Sequence, residues 1–178
     1  MIVVDKVRGG PTKLEIAHLS LQKLEPRRGD VFLDVGCGTG LISILASQWA
    51  SKVYAVDGCE EAVRTAEKNI QRCGATNIQV IKGEAPDVLR TLEKVDCAFV
   101  GGTKRIEETL EVLSEIVTRK VVVNVARLEV ASLVVEKMKE LSIFKEALLV
   151  QISKGYELMG GLAFRAYNPV FVIVGSME

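Results

Sequence analysis

Asp34-Val35-Gly36-Cys37-Gly38-Thr39-Gly40 closes an apolar stretch at 31–35 and opens an amphipathic one carrying Leu41, Ile44, Leu45 and Trp49. Apolar strand, glycine turn and helix, in that order, make the first unit of an α/β fold. The unit recurs outward from there. Strands are expected at 52–56, 78–81, 95–100 and 120–125, and helices at 60–73, 106–117 and 128–141. A short helix starts at Pro86 and ends near Leu92. Upstream, Gly10-Pro11-Thr12 starts a helix with proline where the missing N–H is harmless; its apolar face is Leu14, Ala17, Leu21 and Leu24, and Pro26 ends it. Beyond 141 the period changes. Segments 144–152 and 163–174 read as an antiparallel pair joined by a glycine-rich loop at Gly155, Gly160 and Gly161. The expectation is a single domain, 1–178, of α/β class: a mostly parallel, seven-stranded, doubly wound sheet with helices on both faces and a C-terminal antiparallel hairpin.

Composition narrows the function. Lys plus Arg and Asp plus Glu each number 23, a formal net charge of zero, so the basic excess of a nucleic-acid binder is missing. The longest apolar runs, such as 170–174, fall far short of the roughly 18 residues of a membrane span, and Asp5 and Lys6 follow Met1 too closely for a signal peptide. Cys37, Cys59, Cys73 and Cys97 form no C-x-x-C and read as reduced, buried thiols of a cytoplasmic protein. With His18 the single histidine, neither a histidine-based metal site nor a Ser-His-Asp triad is expected.

In an open α/β sheet the ligand lies at the carboxyl ends of the strands, which marks the loops at 34–40, 57–59, 83–86, 101–104 and 124–127. The first loop is G-x-G-x-G; Leu41 stands where a dinucleotide fold places its third glycine. Glycines let a ligand press on the backbone, and free N–H groups at the helix start attract an anionic group. Asp34 suits a cationic ligand and would repel a pyrophosphate, so the reading is S-adenosylmethionine, whose ammonium Asp34 complements. Asp57, at the end of the second strand, can accept both ribose hydroxyls, or else cap the helix that follows. At Gly83-Glu84-Ala85 the adenine finds polar edges, with the Ala85 backbone the preferred contact; Glu84 contacts the ribose or adenine, or else is an exposed cap. Gly101-Gly102 leaves room for a bulky planar methyl acceptor. Five βα units with a closing hairpin is the layout of the Rossmann-like class I methyltransferases.

The chain resembles, nearly end to end, the decarboxylating cobalt-precorrin carbon-15 methyltransferases of cobalamin biosynthesis. The resemblance rests on Gly10-Pro11-Thr12-Lys13, Asp34 to Gly40, Gly83-Glu84-Ala85-Pro86, Val100-Gly101-Gly102, Val122-Val123-Asn124 with Leu128-Glu129, Gly160-Gly161, and Ala166-Tyr167-Asn168-Pro169-Val170-Phe171. It implies that Thr12, Gly36, Cys37, Gly38, Thr39, Gly40, Asp57 and Ala85 bind S-adenosylmethionine, and that the protein forms homotetramers. Relatives often carry glutamate at the position of Asp57 and alanine at that of Cys37. The implied acceptor is a tetrapyrrole rich in carboxylates, for which Lys13, Lys104, Arg105, Arg127 and Arg165 are candidate clamps. Chemistry driven by an electron-rich macrocycle asks mainly for positioning and exclusion of water, so no side chain is singled out as catalytic. A separate precorrin methyltransferase is a conceivable partner. Two other readings compete: a methyltransferase for RNA or another small molecule, and a non-catalytic subunit that binds S-adenosylmethionine.

Overall fold

The structure is a computed structural model and describes residues 12–177. The predicted helix start at Gly10-Pro11 therefore lies outside the described residues. The element order is α1 (Leu14–Leu24), β1 (Val31–Val35), α2 (Leu41–Ala46), β2 (Lys52–Asp57), α3 (Glu60–Cys73), β3 (Ile78–Lys82), α4 (Ala85–Leu89), β4 (Val95–Val100), α5 (Ile106–Ile116), β5 (Val117–Val125), α6 (Leu128–Glu140), β6 (Phe144–Val150), β7 (Ser153–Leu158), β8 (Gly161–Ala166) and β9 (Val170–Ser176). Seven strands form one sheet in the order β3-β2-β1-β4-β5-β9-β6. The first five are parallel, and β9 runs antiparallel between β5 and β6.

Alternation along each strand sends side chains to two cores. Leu33, Val35, Val56, Val121 and Val123 pack with Leu110, Leu113, Val134 and Met138 of α5 and α6. Phe32, Val53, Phe99 and Val122 pack with Ala17, Leu21, Leu24, Ile42 and Leu45 of α1 and α2. Ala66 and Ile70 extend this second face under α3. The sheet is thus covered on both sides, which explains its nearly unbroken apolar strands. The order turns back at β1 and β4, where the chain crosses from one half of the sheet to the other. That switch point fixes where a ligand can enter.

The structure corrects four sequence expectations. The stretch read as a glycine-rich loop is a ribbon of its own: β7 and β8 pair only with each other, through a two-residue turn at Met159 and Gly160 with φ of 50° and 78°. Positive φ at both positions matches the right-handed strand twist. Segment 163–174 accordingly splits at Asn168-Pro169. Its first part belongs to the ribbon, and only β9 joins the core sheet, since Pro169 has no N–H for a ladder. In α1, Leu14 is 47% exposed, while Ile16 and Ser20 face inward. Ser20 tolerates burial because its hydroxyl donates to Ile16 O at 2.9 Å and accepts from Asn124 Nδ2 at 2.8 Å. Helix α2 ends at Ala46, leaving Trp49 in the following turn, partly exposed. Of the four cysteines, Cys37 and Cys97 are buried but Cys59 and Cys73 are exposed. No helix among the described residues is long and apolar enough to cross a membrane.

One side chain ties two carbonyls of the turn after α2. Asn77 Nδ2 donates to Ser47 O at 2.9 Å and to Ala50 O at 2.8 Å. Asn77→Ala is expected to destabilise the fold by about 1–2 kcal/mol, a drop of roughly 3–6 °C in Tm by thermal unfolding. An unchanged Tm would mean that water satisfies these carbonyls equally well.

Candidate active site

The loops after β1, β2, β3 and β4 surround a cavity of about 620 Å³. Thr12, Asp34, Gly36, Cys37, Gly38, Thr39, Asp57, Glu84, Ala85, Gly101, Gly102 and Lys104 all line it, from five separate stretches of sequence. Gly58, Cys59, Glu61, Ala62 and Phe99 line it too. Gly58 and Cys59 belong to the loop at 57–59 already marked, whereas Glu61 and Ala62 of α3 and Phe99 of β4 lie outside the marked loops. Gly40 does not line it. With φ at 77° it starts α2, and an added Cβ would sit 3.3 Å from the Ala66 Cβ, so it serves the close approach of α2 to α3.

The glycine loop is held in place by its neighbours. Gly36 and Cys37 donate to Val56 O at 2.8 and 3.1 Å, and Gly40 donates to Cys37 O at 2.8 Å. Buried Asn69 of α3 donates to Thr39 O at 2.9 Å. Asp57 works on two fronts. Its Oδ2 accepts from Gly38 N and its Oδ1 from Cys59 N, both at 2.9 Å. The residue that caps α3 is Cys59, with no side-chain cap bond, so Asp57 ties two loops together rather than capping the helix. Each carboxylate oxygen has a further lone pair to offer.

Gly101 and Gly102 fit differently from the sequence expectation of open space for an acceptor. Gly101 and Gly102 donate to Val35 O at 2.8 and 3.3 Å, and an added Cβ on Gly36 would lie 2.4 Å from Gly102 N. The glycines at the ends of β1 and β4 leave room for each other.

Asp34 is fully buried. Its Oδ2 accepts from Ser43 N at 3.0 Å and Ser43 Oγ at 2.5 Å, whereas its Oδ1 has no partner. Burial pushes the carboxyl up from 3.8 to about 7; the Ser43 bonds oppose this and the nearby Asp57 charge adds to it. A carboxylate that is buried, half-satisfied and set in a cavity wall is an incomplete ion pair, stabilised by a cation brought to it. Burial likewise raises the Cys37 thiol, which stays protonated and unreactive.

The predicted clamps separate. Lys104 Nζ donates to Glu84 Oε1 at 2.6 Å across the mouth of the cavity. Arg105 is not in the wall of this cavity: it pairs with Asp87 at 2.9 Å and Glu108 at 2.7 Å, toward α4 and α5. Arg127, the residue before α6, is exposed, and its neighbour Ala126 lines a second cavity of about 570 Å³. Arg165 lies over the Tyr156 ring in the ribbon. The second cavity shares Thr12 and Gly101 with the first, and Lys13, Asn124 and Tyr167 stand in its wall.

Comparison with known proteins agrees with this layout. The family model of the precorrin methyltransferase domain matches residues 6–175. A Methanosarcina mazei protein named as a probable cobalt-precorrin-6B C(15)-methyltransferase (decarboxylating) is 42% identical over the full length of both chains. An Archaeoglobus fulgidus protein of the same name is 41% identical over 93% of this chain and 96% of its own. The crystal structure of precorrin 8W decarboxylase from Methanobacterium thermoautotrophicum superposes with a TM-score of 0.93 at 30% identity, covering 97% of this chain and 96% of that one. Matched along nearly its whole length by one family and by full-length relatives, the chain belongs to the precorrin methyltransferases.

Proposed function

We propose that the protein transfers a methyl group from S-adenosylmethionine to carbon 15 of cobalt-precorrin-6B, with loss of the ring acetate carboxyl as carbon dioxide. The observation that carries the cofactor half is the unpartnered Oδ1 of buried Asp34 in the wall of the first cavity. A cationic amino acid fits there and a pyrophosphate does not. The acceptor half is supported by the names of full-length relatives at 41–42% identity.

Each wall residue has a task in this reading. Asp34 faces the methionine ammonium. The backbone from Gly36 to Thr39 receives the carboxylate, Asp57 accepts from the ribose hydroxyls, and Glu84 with the Ala85 backbone borders the adenine. Thr12, Gly101 and Gly102 stand between cofactor and acceptor. When bound, the cofactor supplies an electrophilic sulfonium methyl. The protein holds the acceptor carbon in line with it and excludes water, contributions that together account for large rate factors without a catalytic base. As carbon dioxide leaves, the conjugated ring takes up the electron pair. With Lys104 paired to Glu84 and Arg105 to Asp87 and Glu108, Arg127, next to Ala126 in the wall of the second cavity, is a candidate clamp with no ion pair among the described residues.

Leu158, Met159, Leu162 and Phe164 of the β7–β8 ribbon are more than half exposed. Apolar surface of this kind supports a homo-oligomer, and we take the homotetramer as its form; light scattering tests it. The free thiols suit the reducing cytoplasm.

The decisive assay is incubation with cobalt-precorrin-6B and S-adenosylmethionine, read by mass. Gain of one methyl with loss of carbon dioxide is expected; an unchanged acceptor would overturn the reading. Asp57→Ala is expected to weaken S-adenosylhomocysteine binding by roughly 1–2 kcal/mol, about tenfold by calorimetry. Unchanged affinity would leave Asp57 with loop tying alone.

A further inference from the structure

Methyl transfer brings the attacking carbon to about 3–3.5 Å from the methyl group, so the acceptor must occupy space continuous with the cofactor's. The second cavity meets that condition, since Thr12 and Gly101 belong to both walls. Ile16, Val125, Val150, Ile152 and Val170 give it apolar wall, mixed with polar groups. Beside Thr12 and Asn168, two of the polar groups stand out.

One is Asn124, at the carboxyl end of β5 and 9% exposed. Its Nδ2 donates to Ser20 Oγ at 2.8 Å, and the single Ser20 hydroxyl proton goes to Ile16 O at 2.9 Å. The hydroxyl oxygen therefore accepts, which orients the amide and leaves Asn124 Oδ1 as the end without a partner. A buried acceptor of this kind is completed by a donor. The other is Lys13. Its Nζ sits 4.9 Å from the centre of the Tyr167 ring, and no carboxylate among the described residues pairs with it. Tyr167 is anchored by its own backbone, with its N–H on Ile152 O at 2.9 Å and its carbonyl accepting from Gln151 Nε2 at 2.8 Å. The cation is thus presented on a fixed platform beside the cavity.

We infer that the second cavity seats the methyl acceptor, that Lys13 on the Tyr167 ring binds one of its carboxylates, and that Asn124 is a positioning residue whose Oδ1 accepts a hydrogen bond from the ring system. The ligand class is an apolar macrocycle edged with carboxylates. Its donor is a pyrrolic N–H in a metal-free ring or a metal-bound water in a metallated one. This rests on the methyltransferase reading and moves the acceptor contacts away from Lys104 and Arg105.

The test is absorbance titration of the full chain, with S-adenosylhomocysteine present, using uroporphyrin and its cobalt complex as probes. Lys13→Gln, an exposed change, is expected to weaken porphyrin binding about tenfold, and Asn124→Leu similarly, the scale of one charged or fully buried hydrogen bond. Ser20→Ala removes only the support of the amide and is expected to weaken binding less than Asn124→Leu does. A loss in Asn124→Leu confined to the metal-free probe assigns the donor to ring N–H; one confined to the cobalt complex assigns it to bound water. Calorimetry with S-adenosylhomocysteine, unchanged across the variants, shows that each is folded. Wild-type affinity for both probes in Lys13→Gln, or equal losses in Ser20→Ala and Asn124→Leu, overturns the assignment of that residue. A wild-type protein that binds S-adenosylhomocysteine but neither porphyrin overturns the acceptor reading itself.

Discussion

Gly36→Ala is expected to lower stability by roughly 3–5 kcal/mol, about 10 °C in Tm, and to abolish cofactor binding. Two effects combine. The first is conformational: Gly36 has φ of 72°, where a side chain costs about 1–2 kcal/mol. The second is contact. The new Cβ would lie 2.4 Å from Gly102 N and 2.7 Å from Gly102 Cα, and backbone cannot rotate away as a side chain can. Relief requires the ends of β1 and β4 to part, loosening the bonds from Gly101 and Gly102 to Val35 O. Gly74→Ala separates the two effects. Gly74 has φ of 67° at the end of α3, and nothing lies within 4 Å of its added Cβ. It reports the conformational cost alone. Equal melting temperatures for the two variants would show that the packing of Gly36 on Gly102 carries no weight.

That packing also shows what a sequence conceals. Strand-turn-helix units and the acidic strand ends were legible because they depend on local period and on the rule that ligands sit at carboxyl ends. Asp34, Asp57, Glu84 and Ala85 accordingly meet at one cavity, although they come from three strands. The failures are where the partner lies far along the chain. Gly101 and Gly102 line the cavity, but their packing against Gly36, 65 residues before the first of them, was not legible. Ser20 drew no reading from the sequence, because its partner Asn124 is on β5. The β7–β8 ribbon was hidden for another reason: apolar residues at strand spacing look alike whether they face the chain's own core or stand exposed, as Leu162 and Phe164 do.

Asp34→Asn is expected to split two properties that usually fall together, weakening cofactor binding about a hundredfold while stabilising the empty protein. The carboxyl of the folded chain titrates near 7 rather than 3.8, because burial penalises its charge. The folded state therefore keeps a proton that the unfolded chain has lost. Stability of the empty protein falls as pH rises from about 4 to about 7 and is level above. Asparagine can still accept from Ser43 through its carbonyl but carries no charge, so at pH 8 the variant is expected to be more stable by on the order of 2 kcal/mol. The difference should shrink toward pH 4. Cofactor binding runs the opposite way. An ammonium beside Oδ1 favours the ionised carboxylate, so binding releases a proton below pH 7, and wild-type affinity should rise about tenfold from pH 5.5 to 7. That window lies below the roughly 7.7–8.0 range where an α-ammonium itself titrates. Loss of a charge-assisted contact of about 2–3 kcal/mol accounts for the hundredfold drop, and the variant's affinity should be flat across the window. Calorimetry with S-adenosylhomocysteine at several pH values, beside thermal unfolding of the empty protein, reads both. An Asn variant that binds as tightly as wild type, or keeps the same pH slope, would mean that the cation rests elsewhere and that Asp34 serves only to hold Ser43 at the start of α2.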